Sequence, residues 1–79
     1  MSPSNMPKLS PIRGKDLIRI LEKQGFETIR QRGSHARLVR PDGRKTSVPI
    51  HSGENVHLGL LRKILRDTNL SPEEFNRLK

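Results

Sequence analysis

Apolar residues recur at helical spacing in the first third of the chain. Leu17, Ile18 and Leu21 fall on one stripe within residues 14–24, and charged residues fill the positions between them. Gly25 follows the last turn, at a position where a left-handed residue commonly ends a helix. The pattern predicts an amphipathic helix over residues 14–24 whose apolar stripe faces a core.

The same spacing returns over residues 57–67. Its stripe consists of Leu58, Leu61, Ile64 and Leu65. Asn69 is a suitable stop for this second helix. A third, short helix should begin after Ser71 and extend to Lys79, because a proline and then a glutamate follow Ser71 at the spacing of a capping box.

Alternation with a period of two replaces the helical spacing in the middle of the chain. It predicts three strands, over residues 27–32, 35–40 and 44–49. Gly33-Ser34 suits a two-residue turn of type II′, and the Pro-Asp-Gly sequence at 41–43 suits a three-residue loop ending in a glycine bulge. We therefore predict a two-layer α+β domain of order α-β-β-β-α with a short C-terminal helix, and a polar loop over residues 50–56.

The two turns fix a register for the predicted sheet. Arg32 should lie opposite His35, Arg30 opposite Arg37, and Ile29 opposite Leu38. One face, available to the helices, then carries Ile29, Gln31, Ala36, Leu38, Thr46 and Val48. The other face, open and basic, carries Arg30, Arg32, His35, Arg37, Val39, Lys45 and Ser47. A slip of one residue would exchange the two faces.

Residues 1–11 differ from the rest in composition. They contain three of the six prolines, together with serine and asparagine, which is typical of a flexible leader. Leu9 or Ile12 could still reach the core. We expect a single domain over residues 12–79, with no internal repeat.

Charge adds a functional indication to this fold. Sixteen Lys and Arg against eight Asp and Glu give a net charge of +8, which is common in domains that bind nucleic acid. A basic surface that aids solubility or meets an acidic protein is the alternative. Phe26 and Phe75 are the only aromatic residues, so we expect recognition of backbone and shape rather than stacking of bases on aromatic rings.

Other classes of protein are disfavoured. The chain has no cysteine, and therefore no disulfide framework or thiolate metal site. No apolar run approaches the roughly 20 residues of a membrane span, and no apolar stretch typical of a signal peptide follows the N-terminus. We expect a cytoplasmic protein.

His35 is the leading candidate for chemistry. Histidine suits proton transfer near neutral pH, and arginine suits phosphate binding, so their presence on one hairpin suggests cleavage of RNA. Cleavage would require removing a proton from the 2′-hydroxyl and giving one to the 5′-oxygen. The alternative is an ordinary strand histidine at a turn.

Two further positions are weaker candidates. His51 follows the third strand and could approach His35 as a phosphate contact, although a polar loop residue is the simpler interpretation. Lys15 could help a phosphate bind at the start of the first helix, but a solvated lysine is the simpler interpretation. Together with His57, the histidines match no metal-ligand spacing, so no metal or other cofactor is predicted.

Several segments, taken together, resemble the HicA toxins, also called the YcfA-like family. The matching segments span residues 14–18, 22–26, 30–35, 41–44, 48–51, 59–65 and 70–75. Gly-Ser-His alone is a weak signal, whereas all of these segments in this order make a strong one. Ala36 departs from many relatives, at a variable position.

The resemblance implies a fold like that of double-stranded-RNA-binding domains and a ribosome-independent mRNA endoribonuclease that requires no metal. It also implies a HicB-type antitoxin that covers the active site, with the toxin monomeric when alone and hetero-oligomeric in the complex. The family's catalytic histidine corresponds to His35, and its turn to Gly33 and Ser34. We expect RNA contacts from Arg30, Arg32, Gly33, Ser34, Arg37, Lys45 and His51.

Two other functions stay open at this point. The open basic face would also suit a non-catalytic RNA-binding module, which would bind RNA with steep salt dependence and leave it intact. It would equally suit an interaction protein whose partner is acidic.

Overall fold

The chain folds into short helices and strands. A computed structural model describes residues 8–51 and 53–79, so most of the predicted leader, residues 1–7, lies outside the described residues. The elements are β1 (Ile12–Arg13), α1 (Gly14–Lys23), β2 (Glu27–Arg32), β3 (His35–Val39), β4 (Lys45–Pro49), β5 (Asn55–Val56), α2 (Leu58–Thr68) and α3 (Pro72–Leu78). The predicted α+β class and the α-β-β-β-α order are confirmed, and the arrangement is compatible with a double-stranded-RNA-binding-domain-like fold.

The core lies between the three-stranded sheet β2-β3-β4 and the helices. Along β3 and β4 every second residue is buried, because one face of the sheet is covered by α1 and α2 while the other is open. The apolar stripes of the helices meet that covered face. The centre of the core consists of fully buried apolar side chains, those of Leu17, Leu21, Leu38, Val48, Leu61, Ile64 and Phe75. No helix in the described part of the chain is long and apolar enough to cross a membrane.

Both predicted hairpin turns are present. Gly33 has a φ of 59° while Ser34 does not take a positive φ, which is the pattern of a type II′ turn. In the second turn Gly43 has a φ of 99°, and the backbone N–H of Arg40 donates to the carbonyl of Arg44 at 2.8 Å. Both turn types twist in the same sense as the strands they join, so they fix the register.

The predicted register is confirmed at most positions and wrong at one. Arg32 pairs with His35 and Arg30 with Arg37, and the whole β3–β4 pairing is as predicted. Ile29, however, does not pair with Leu38. A β-bulge between Thr28 and Arg30 inserts Ile29 as an extra residue, so Thr28 takes the position opposite Leu38.

A second, two-stranded sheet was not predicted. β1 pairs with β5 in antiparallel register, with Ile12 opposite Val56. β5 is the end of the segment predicted as a polar loop, so that prediction is wrong at Asn55 and Val56, and Val56 is buried against the core. Leu9 and Ile12 also pack against the core, as the sequence suggested they could.

The helix ends follow their predicted signals to within one residue. Gly25 after α1 and Asn69 after α2 have positive φ values of 94° and 58°. Ser71 and Glu74 form the complete capping box of α3. His57 has a role that the sequence did not reveal: its Nδ1 accepts the backbone N–H of Leu60 and thereby caps α2.

The β3–β4 loop ties the ends of two helices together. Asp42 accepts hydrogen bonds from the guanidinium groups of Arg40 and Arg44, each at 2.8 Å. Arg40 also donates to the carbonyl of Gln24 at the end of α1, and Arg44 donates to the carbonyl of Thr68 at the end of α2. Cations at helix C-termini are favourable because carbonyls there lack helical partners. We call Arg40, Asp42 and Arg44 the arginine clamp.

Candidate active site on the open sheet face

The sheet surface turned away from the helices holds a shallow cavity of about 310 Å³. We call the surface the basic face. The cavity is lined by Ile29, Arg30, Arg32, His35, Ala36, Arg37 and Ser47. Three guanidinium groups and one imidazole therefore surround a single depression that is open to solvent.

His35 lies at the first position of β3, directly after the Gly33-Ser34 turn. Its side chain is exposed, and its cross-strand neighbours are Arg32 on β2 and Pro49 on β4. Directly paired residues have Cβ atoms about 4.5–5.5 Å apart, so the Arg32 side chain can reach the same small ligand as the imidazole. The turn itself leaves room, because nothing lies within 4 Å of the position that a Cβ on Gly33 would occupy.

Arg37 is the most firmly held of the three arginines. It is half-buried, and its Nη1 donates to Ser47 Oγ on β4 at 3.1 Å. Its pair on β2 is Arg30, which is exposed. Among the described residues, no carboxylate lies within ion-pair distance of Arg30, Arg32 or Arg37. Their charges are therefore available to an anionic ligand.

The other basic residues of the hairpins do not belong to this cavity. Arg40 and Arg44 are engaged in the arginine clamp on the helix side. Lys45 is exposed at the far end of β4, opposite Val39. The arginines of the two hairpins therefore form two groups. Arg40 and Arg44 stabilise the fold, whereas Arg30, Arg32 and Arg37 line the cavity.

The remaining predicted contacts lie at or beyond the edge of the cavity. Gly33 and Ser34 form the turn at its end, where the carbonyl of Ser34 accepts the N–H of Ile50 at 2.7 Å. His51 lines a different cavity, shared with Gly14 and Lys15. The structure therefore does not bring His51 into the cavity at His35.

Ile29 is the exposed residue of the cavity that the sequence placed on the covered face. Because it occupies the bulge, its side chain is 54% exposed on the basic face instead of covered by helices. It is the one large apolar residue classed as exposed in the part of the chain that the structure describes. Strict alternation along β2 gave no signal of this position.

The arrangement suits proton transfer at a phosphate. Arginine side chains offer planar pairs of N–H donors to phosphate oxygens, and an imidazole at the same depression can give or take a proton. Over residues 8–51 and 53–79, no three His, Asp or Glu side chains come together as a group that could hold a metal ion.

Comparison with known protein families identifies a family that this chain matches. The family model described as the HicA toxin of bacterial toxin-antitoxin matches residues 14–70, which include both hairpins and every residue that lines the cavity. A search of curated proteins returned no significant match.

Proposed function

Because the chain belongs to the HicA toxin family of bacterial toxin–antitoxin systems, we propose that it is an mRNA endoribonuclease whose catalytic residue is His35. The observation that supports this most directly is the cavity on the basic face. There one exposed imidazole stands among three arginines that have no carboxylate partner in the described structure.

The proposed reaction is attack of a ribose 2′-hydroxyl on the adjacent phosphorus. The 2′-oxygen forms a bond to phosphorus, the bond to the 5′-oxygen breaks, and the products are a 2′,3′-cyclic phosphate and a 5′-hydroxyl. One proton leaves the 2′-hydroxyl and one is added to the 5′-oxygen. His35 serves one of these transfers, and such assistance typically contributes about 10²- to 10⁴-fold in rate.

The arginines stabilise the charge that develops on the phosphate. Arg32 lies opposite His35, and Arg37 is held by Ser47 on the adjoining strand. Donors that are already oriented towards the developing charge need no rearrangement during the reaction. Arg30 extends the same positive surface along β2 to the next phosphate of the chain.

We further propose that the toxin is neutralised by an antitoxin of the HicB type that covers the basic face. An exposed face carrying several unpaired cations is complementary to an acidic surface, and steering by such charges speeds association. Charge reversal by Arg37→Glu should then weaken binding of both RNA and antitoxin. Unchanged antitoxin affinity would show that the antitoxin docks elsewhere.

The activity is tested with purified protein and a labelled mRNA. Wild-type protein should produce fragments with 2′,3′-cyclic phosphate ends, and His35→Ala should lower the rate by at least about 100-fold. Because His35 is exposed, the substitution should leave the thermal midpoint nearly unchanged. Cleavage retained by His35→Ala would refute the assignment, and salt-dependent binding without cleavage by the wild type would identify a non-catalytic RNA-binding module.

A further inference from the structure

The bulge in β2 moves an apolar side chain from the helix side of the sheet to the basic face. Without the extra residue, Ile29 would lie opposite Leu38, which is fully buried beneath the helices. With it, Thr28 lies opposite Leu38 instead; its side chain is exposed at the edge of the sheet, and its hydroxyl donates to Glu22 Oε2 on α1 at 3.3 Å. β-Bulges frequently redirect a side chain next to a functional site.

Ile29 lies in the cavity that contains His35 rather than at a random point of the surface. It adjoins Arg30 in sequence, and both side chains line the cavity together with Arg37. A ligand bound there meets cations and an apolar surface within one depression. A nucleotide has the matching combination of a charged phosphate and a flat, weakly polar base.

We propose that Ile29, with the aliphatic parts of Arg30 and Arg37, forms a subsite for the base of an unpaired nucleotide whose phosphate is bound by the arginines. The proposal rests on the proposed function in that it places this nucleotide beside His35. Both phenylalanines are buried, and the exposed ring in the cavity, the imidazole of His35, is assigned to proton transfer. Isoleucine provides the apolar contact in its place.

The requirement for an unpaired nucleotide follows from the geometry of the contact. An aliphatic side chain on an open sheet covers the flat side of a base, and in a duplex that side is covered by the neighbouring bases. Single-stranded segments can turn a base outward onto such a surface. The subsite therefore favours single-stranded over double-stranded RNA, although the fold resembles that of duplex-binding domains.

The test is equilibrium binding in the His35→Ala background, so that cleavage does not interfere. The ligands are an unstructured 12-nucleotide oligouridylate, a matched oligomer of abasic spacers and a duplex of the same length. Adding Ile29→Ala should weaken binding of the oligouridylate by about fivefold, in keeping with the loss of apolar contact. It should change binding of the abasic oligomer and of the duplex by less than about twofold.

Two further variants serve as controls. Ile29→Leu keeps the apolar contact and should bind within about twofold of the parent. Val39→Ala removes apolar surface from the same face outside the cavity and should leave all three affinities unchanged. Thermal midpoints show that each variant is folded.

The other outcomes would overturn the subsite. An equal loss for oligouridylate and abasic oligomer would mean that Ile29 acts through the shape of the face, and no loss for either would mean that no base is bound there. Weakened antitoxin binding with unchanged RNA binding would make Ile29 a protein contact. Absence of RNase activity in the wild type would refute the proposed function. It would not affect the test of the base subsite, because binding is measured without cleavage.

Discussion

Arg37 and Ser47 are directly paired across β3 and β4, and the arginine donates from Nη1 to the serine hydroxyl at 3.1 Å. The bond keeps the guanidinium along the sheet surface, within the cavity that contains His35. An arginine held in place by a neighbour loses less conformational entropy when it binds a phosphate. We therefore expect Ser47 to act as a positioning residue through Arg37.

The first prediction concerns this pair. Ser47→Ala should lower RNA cleavage by about two- to tenfold, the value of one ordinary hydrogen bond, while Arg37→Gln should lower it further because the charge itself is lost. The double variant should be no worse than Arg37→Gln alone, because Ser47 has no role once the arginine is absent. Additive losses measured by single-turnover kinetics would show that Ser47 acts independently of Arg37.

The second prediction separates the arginines by function. Arg32→Gln should weaken RNA binding and reduce the salt slope by about one, since one phosphate contact is removed, without changing the thermal midpoint. Arg44→Gln should lower the thermal midpoint, because it removes bonds to Asp42 and to the end of α2, without changing the salt slope. Filter binding across salt concentrations and thermal melts measure the two effects. If both variants reduced the salt slope equally, Arg44 would contact RNA as Arg32 does, and the assignment of Arg44 to stability alone would be wrong.

Turn chemistry made most of the fold predictable from the sequence. Gly33 at the first position of a two-residue turn, and Gly43 at the end of a three-residue loop, require backbone conformations that only a few turn types provide. Those turns fix which residues pair, and the pairing fixes which side chains share a face. The sequence alone therefore places His35, Arg30, Arg32 and Arg37 on one face.

The parts that were missed depend on single residues or on distant contacts. Ile29 has the residue type of a core strand position, and nothing local marks the bulge that turns it outward. β1 and β5 have two residues each, too few to show any period. The clamp role of Arg40 arises because the loop lies against the end of α1, which is a tertiary relationship.

The third prediction concerns the close approach of α1 to β4. A Cβ on Gly14 would overlap the backbone carbonyl of Pro49. Pro49 pairs with His35 across β3 and β4, so the overlap can be relieved only by a shift of β4. Gly14→Ala should therefore destabilise the protein by about 1–3 kcal/mol. In Gly59→Ala, the matched control in α2, the Cβ would meet only His57 at 3.4 Å, so helix propensity should make that change neutral or stabilising by up to about 1 kcal/mol. Urea denaturation measures both, and equal stability of the two variants would contradict the clash.

The last prediction concerns stability in acid. Burial acts to raise the pKa of Asp67, but hydrogen bonds from Lys63 and Thr46 outweigh it, so the pKa lies below its ordinary value. A carboxylate with a lowered pKa in the folded state contributes stability that is complete above the ordinary value of about 3.9. That contribution is lost as the pH falls through the lowered pKa. We expect the thermal midpoint to decline below about pH 4 and to decline less steeply in Asp67→Asn.

The matched control for Asp67→Asn is Asp16→Asn. Asp16 is exposed on α1 and lies 3.8 Å from Arg19, and exposed ion pairs contribute little to stability, so its removal should change the thermal midpoint little. Asp42 in the arginine clamp also has a lowered pKa, because the backbone N–H of Arg44 and the guanidinium groups of Arg44 and Arg40 favour its charged form. Asp67→Asn should therefore remove only part of the slope. If Asp67→Asn loses stability in acid as steeply as the wild type, the bonds of Asp67 to Lys63 and Thr46 contribute no stability that depends on its charge.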